Sequence, residues 1–230
     1  MTYELILFDA DDTLYDYAKA EAFALQSAFE EAGLTVSPHL TEGYRTINGQ
    51  LWLDYEKGLI GLAKLRTERF ARLIAEHRLE LHWTADEFSS SYLRYLGEGS
   101  FMIEGAHSLC NELRAKGLKL AIITNGIREV QHSRIGRSPL ANAFEHIVVS
   151  EDAGAQKPNP LIFDYALQKL GHSDRSRMLM VGDSLTSDIQ GGLNAGIDTC
   201  WFNPHGKVNS TGIVPRYEIS RLEQLLDLIR

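Results

Sequence analysis

The chain has 230 residues, 44% of them hydrophobic and 23% charged, with a formal net charge of −8. That length suits one large domain, or one domain carrying a smaller insertion, with core enough to fold without covalent staples. The acidic balance argues against a nucleic-acid polymer as partner, and no run approaches the roughly 18 apolar residues of a membrane span. The first apolar run, residues 5–8, stops at Asp9 and is too short for an export leader, so a soluble cytoplasmic protein is expected. Cys110 and Cys200 lack metal-ligand or redox spacing and read as inert buried thiols. No long exposed apolar pattern stands out, which leans toward a monomer or a weak homodimer.

In chain order, the first predicted strand is residues 4–8, followed at once by the acidic stretch Asp9-Ala10-Asp11-Asp12. From about residue 16 the pattern turns helical. Ala18, Ala22, Leu25 and Phe29 share a face that ends at Gly33, and further helices are expected near 51–55, 62–75 and 85–96. No strand is predicted in that stretch. From about residue 105 the rhythm becomes helix, strand, helix, strand: a helix over 106–116, strands at 119–124 and 146–150, and a helix over 160–170. A strand at 178–182, a short helix at 188–195 and a strand at 199–202 complete the series. Continuous rather than alternating apolar strands are buried on both faces, as in a parallel sheet. The expectation is an α/β chain with a Rossmann-like open parallel sheet formed by residues 1–16 and 101–230, interrupted by an all-helical insertion over 17–100.

Ligands of open parallel sheets bind beyond the carboxyl ends of the strands. Each predicted strand here runs into suggestive residues: Asp9 and Asp11, then Thr124-Asn125-Gly126, then Gln156-Lys157-Pro158, then Gly182-Asp183-Ser184 with Asp188 shortly after. Clustered carboxylates need a cation, and an all-oxygen ligand set favours Mg²⁺. With a lysine and backbone N–H groups beside them, such carboxylates would hold a phosphate, which makes phosphoryl transfer the expected chemistry. A strand-end Asp can attack phosphorus, and an Asp two residues on can protonate the leaving oxygen and then deprotonate water. Bland readings stand beside these: Thr124 and Asn125 could simply end a strand, Lys157 could be a solvated loop charge, and Asp188 could cap its helix.

These motifs, in this order, resemble the four motifs of the haloacid dehalogenase (HAD) superfamily, and the insertion resembles that superfamily's alpha-helical cap. The resemblance implies that Asp9 is the nucleophile and a Mg²⁺ ligand. It makes Asp11 the general acid/base, ligating through its backbone carbonyl. Thr124 would hydrogen-bond the phosphoryl group with Asn125 and Gly126 nearby, and Lys157 would neutralise charge. Asp183 would complete the metal site, with Asp188 acting directly or through a water. The commonest phosphatase pattern has Gly where this chain has Asp12. The stretches 9–14, 44–52, 150–158, 182–192 and 196–204 instead resemble a pyrimidine 5′-nucleotidase subgroup. That resemblance implies a nucleoside monophosphate such as UMP, dUMP or dTMP as substrate, with Asn48 and Trp52 as candidate base contacts. Alternatives are a sugar phosphate or phosphoglycolate phosphatase and, further off, a 2-haloacid dehalogenase or a phospho-aspartate signalling domain.

Overall fold

The structure is a computed structural model that describes residues 3–229. The chain divides into two compact units. One joins the residues up to Tyr17 with those from Ser100 onward, and the other is residues 18–99.

The first unit is built on a six-stranded parallel sheet: β1 (Leu5–Phe8), β2 (Lys119–Thr124), β3 (His146–Val149), β4 (Met178–Gly182), β5 (Asp198–Phe202) and β6 (Tyr217–Ile219). Their order is β3-β2-β1-β4-β5-β6, so β1 lies in the interior between β2 and β4. Its four residues, Leu-Ile-Leu-Phe, are all buried. Ile6 and Phe8 join Leu120, Ile122, Leu179 and Val181 in the core on one face. Leu5 and Leu7 join Ala121, Ile123, Met178 and Met180 on the other. A residue placed this way on each face is worth about 1.5–3 kcal/mol, which explains why the strands read as unbroken apolar runs.

Helices cover both faces. α5 (Ala106–Ala115) and α6 (Arg128–Arg137) contribute Leu109, Leu113 and Ile135 to the first face. α8 (Pro160–Leu170) contributes Ile162, Phe163 and Ala166 to the second. The one-turn α7 (Ser150–Ala153) follows β3. Residues 185–189 form a π-type turn that runs into α9 (Gln190–Asn194), and α10 (Leu225–Leu228) lies near the C-terminus. Cys110 and Cys200 are free and buried, and burial pushes both thiols up to about 12.

The second unit contains α1 (Tyr17–Glu31, which starts at the boundary), α2 (Pro38–Glu56), α3 (Leu62–His77) and α4 (Ala85–Glu98). Ser37 caps α2 by accepting from Leu40 N at 3.2 Å, and Thr84 with Glu87 forms a capping box at α4. Its centre is aromatic: Phe70 lies 5.0–5.4 Å from Tyr44, Phe88 and Tyr92, centroid to centroid. The sequence reading found only the C-terminal third of α2, and missed α6 and β6 entirely. No helix among the described residues is long and apolar enough to cross a membrane.

Candidate active site

The strand order reverses between β1 and β4, and there the carboxyl ends of the two strands are level, with Phe8 opposite Val181. Such a switch point opens a crevice. Asp9 leaves β1 there, its backbone N–H donating to Val181 O at 2.9 Å, and Asp183 leaves β4. Lys157 reaches the same place from the loop before α8. The Nζ of this lysine, which is 2% exposed, donates to Asp9 Oδ1 at 2.5 Å, Asp188 Oδ1 at 2.7 Å and the backbone carbonyl of Ile123 at 2.7 Å. Three donors thus meet three acceptors, which is what a buried ammonium requires.

Carboxylate oxygens of Asp9, Asp183 and Asp188 lie within 4.8 Å of one another. Burial raises the Asp9 carboxyl well above the usual carboxylate range; Lys157 opposes this, while Asp188, Asp11 and Asp183 reinforce it. Asp183 is raised to about 7, by burial first and then by Asp188 and Asp12. Burial alone would lower Lys157, but Asp188 and Asp9 outweigh it and hold the ammonium above its ordinary value. Three close carboxylates facing one fixed cation leave negative charge uncompensated. An all-oxygen set of this kind fits Mg²⁺, and Asp9, Asp183 and Asp188 are the side chains that would hold it.

Asp188 serves two partners. Its Oδ2 accepts from the backbone N–H of Ser184 at 3.0 Å, and its Oδ1 meets Lys157. The cap of this turn is Ser184, whose Oγ accepts from Ser187 N at 3.2 Å, so Asp188 is not the helix cap that the sequence also allowed; it lies within the turn and points to the lysine. Gly182 makes this possible, because a Cβ there would lie 2.2 Å from Asp188 Oδ2. Asp183 is held by its main chain, its carbonyl accepting from Trp201 Nε1 at 2.8 Å. Trp201, buried on β5, thus also orients the β4 end. The only cation beyond Lys157 that the described contacts bring to Asp183 is Lys207, with Nζ 3.8 Å from Oδ2.

Thr124 is buried at the end of β2, and its hydroxyl oxygen accepts from Gly126 N at 3.0 Å, leaving its proton to donate. Asn125 has a task the sequence did not reveal. Its Oδ1 accepts from Lys157 N at 2.8 Å and its Nδ2 donates to Lys157 O at 3.0 Å, clamping the lysine's backbone from both sides. The Lys157–Pro158 peptide is cis.

Asp11 turns its carboxylate to α6. Oδ1 accepts from Arg134 Nη2 at 2.5 Å and Oδ2 from Gln131 Nε2 at 2.6 Å. Gly126 leaves room, since a Cβ there would lie 2.1 Å from Gln131 Nε2. Gln131 and Arg134 were missed by sequence reasoning; their spacing of three on a polar helix was the available signal. The Thr13 hydroxyl oxygen is buried with no hydrogen-bond partner among the described residues.

Within the helical unit, Asn48 is buried and its Oδ1 accepts from Arg69 Nη1 at 3.3 Å, so that oxygen already serves the unit's interior. Trp52 is half-buried, and its ring meets Tyr55 edge-on at 5.7 Å.

Comparison with known proteins agrees with this geometry. Residues 3–196 match the family described as haloacid dehalogenase-like hydrolase. YfnB of Bacillus subtilis (strain 168), assigned to the HAD hydrolases, is 39% identical over 227 residues, covering 99% of this chain and 95% of that protein. The pyrimidine 5′-nucleotidase YjjG of Escherichia coli (strain K12) is 37% identical over 230 residues, 100% of this chain and 99% of the relative. The pyrimidine 5′-nucleotidase PynA of Streptococcus pneumoniae (strain ATCC BAA-255 / R6) is 36% identical over 229 residues, covering 100% and 96%. The magnesium-bound crystal structure of YfnB superposes with a TM-score of 0.92 at 38% identity, covering all of both chains. Sheet order, motif placement and these whole-length matches together establish that the chain belongs to the haloacid dehalogenase-like hydrolases.

Proposed function

We propose that the protein is a Mg²⁺-dependent phosphomonoester hydrolase that works through an aspartyl-phosphate on Asp9 and prefers pyrimidine nucleoside 5′-monophosphates. The observation that carries the chemistry is the meeting of Asp9, Lys157, Asp183 and Asp188 at the sheet's switch point. The substrate class rests on YjjG and PynA, two pyrimidine 5′-nucleotidases alike over essentially the whole chain.

In the first half-reaction an Asp9 carboxylate oxygen attacks phosphorus while the bond from phosphorus to the ester oxygen breaks. The departing nucleoside alkoxide takes a proton from the Asp11 carboxyl and leaves as the alcohol. In the second half, Asp11, now ionised, takes a proton from water as that water attacks phosphorus. The bond from phosphorus to Asp9 breaks, inorganic phosphate departs and Asp9 is regenerated. Lys157 favours the ionised form of Asp9 against its burial and fixes the carboxylate, and the free hydroxyl proton of Thr124 donates to a phosphoryl oxygen. Asp9, Asp183 and Asp188, with the Asp11 carbonyl, would hold a Mg²⁺ ion, which would supply positive charge against the phosphate's own. The small phosphorylated substrate is the only partner this chemistry needs.

A panel of phosphomonoesters, read by phosphate release with Mg²⁺ present, tests the proposal. UMP, dUMP and dTMP should outrun purine monophosphates, sugar phosphates and phosphoglycolate. Asp9→Asn should lower release by at least about 10³-fold, since the nucleophile itself is gone. Clear preference for a sugar phosphate would overturn the substrate assignment, and near-normal turnover by Asp9→Asn would overturn the covalent mechanism.

A further inference from the structure

The carboxylate of Asp11 is gripped more firmly than the fold requires. Each of its oxygens has its own donor, Arg134 Nη2 at 2.5 Å and Gln131 Nε2 at 2.6 Å. The two donors are tied to each other, with Arg134 Nη2 also donating to Gln131 Oε1 at 2.8 Å. The guanidinium is backed by the Tyr15 ring, 5.2 Å from its centroid, and the Tyr15 hydroxyl is fixed 2.8 Å from Ser138 Oγ at the end of α6. Arg134 and Gln131 are each 1% exposed, yet Nε and Nη1 of Arg134 find no hydrogen-bond partner among the described residues. Burying a charge with two of its three nitrogens unmet is costly, and an apolar side chain of similar size would fill the same space at lower cost. The residue opposite, Gly126, has no side chain, and any Cβ there would meet Gln131. The β2 end, α6 and the turn after β1 are thus shaped around one carboxylate.

We propose that Gln131 and Arg134 are positioning residues for Asp11, locking the rotation of its carboxylate so that one fixed oxygen serves the leaving group and then the water. This inference rests on the phosphatase reading given above. Proton transfer gains only when donor and acceptor are held in hydrogen-bonding geometry. Asp11 sits at the open edge of the site, its side chain 28% exposed, where an unheld carboxylate would rotate freely.

The test exploits leaving-group chemistry. A nucleoside alkoxide needs a proton to depart, whereas nitrophenolate departs without one. In the full-length protein with Mg²⁺, kcat/KM is measured on UMP and on p-nitrophenyl phosphate for Gln131→Met, Arg134→Met and Asp11→Asn. The ratio of the two values should fall about 10- to 100-fold in the two positioning variants and further in Asp11→Asn. Should Arg134→Met fail to fold, Gln131→Met, which keeps the Arg134–Asp11 pair, carries the test. Equal loss on both substrates would mean that the pair merely supports the fold, and no loss on either would also overturn the proposal. If Asp11→Asn shows the selective loss and the positioning variants do not, the clamp alone fails. If Asp11→Asn shows no selective loss, the acid/base reading itself falls.

Discussion

Asp12 shows how one backbone angle can explain a residue that the chemistry leaves idle. Its φ is +57°, in the left-handed region, where Asp is tolerated and β-branched residues are not. Its N–H donates to Tyr15 O at 2.7 Å, closing the turn after β1, and its Oδ1 accepts from Tyr17 N at 3.2 Å at the start of α1. The third carboxylate of the acidic stretch is therefore a turn residue that also receives the first N–H of the following helix. A Gly at this position would meet the same backbone demand, since Gly reaches positive φ without strain. Replacing Asp12 by Val should cost about 2–3 kcal/mol, combining the left-handed backbone with the lost helix contact. Asp12→Gly should stay within about 1 kcal/mol of the parent. Urea unfolding compares the two, and equal stabilities would refute the backbone account.

Among the elements, the end of β4 and the π-type turn behind it act as one part. Gly182 ends the strand, the chain makes its turn over residues 185–189, and Asp188 folds back against the glycine. In Gly182→Ala the new methyl would meet Asp188 Cβ at 2.5 Å and Oδ2 at 2.2 Å, and Asp188 cannot yield without leaving Lys157. The variant should lose about 1–3 kcal/mol of stability, and its thermal gain on adding Mg²⁺ should shrink. An unchanged gain would show that Asp188 does not hold the metal. The elements also differ in how visibly the sequence announces them. β1, β2 and β4 are apolar on both faces, so their runs stand out, and an Asp or Thr at the end of such a run is conspicuous. α6 buries Gln131 and Arg134 toward the site, with Val130 and Ile135 its only buried apolar residues, so no apolar stripe marks it. β6 has three residues, one of them the exposed Glu218, at the edge of the sheet. What the sequence hid was a helix whose inward face is polar because it faces a carboxylate rather than a core.

For the whole molecule, the acidic cluster ties stability to pH and to metal. Burial, with Asp188 and Asp12 beside it, pushes the Asp183 carboxyl from its ordinary value of 3.8 up to about 7 in the folded protein. Between those values the folded state keeps a proton that the unfolded chain has released, so the folded state is favoured by acid. As pH rises through that window this contribution is lost, and the penalty is complete above about 7. The raised Asp9 acts in the same direction. A divalent cation held by Asp9, Asp183 and Asp188 would remove the penalty, and because the cluster exists only in the folded state it would stabilise that state. The rise in Tm on adding Mg²⁺ should therefore grow between about pH 5 and pH 8. Scanning calorimetry with and without the ion reads this directly, and a rise independent of pH would contradict it.

The central place of β1 also sets the timetable of synthesis. Residues 5–8 are made more than a hundred residues ahead of their neighbours in the sheet, residues 119–122 and 178–181. At roughly 5–20 residues per second, a ribosome takes about 10 s or more to deliver the second neighbour. Until residues 119–122 emerge, the nascent chain carries a fully apolar tetrapeptide with neither sheet neighbour, while the helical segment behind it, rich in local contacts, can already form. Asp9 therefore meets Lys157, Asp183 and Asp188 only after residue 188 has emerged.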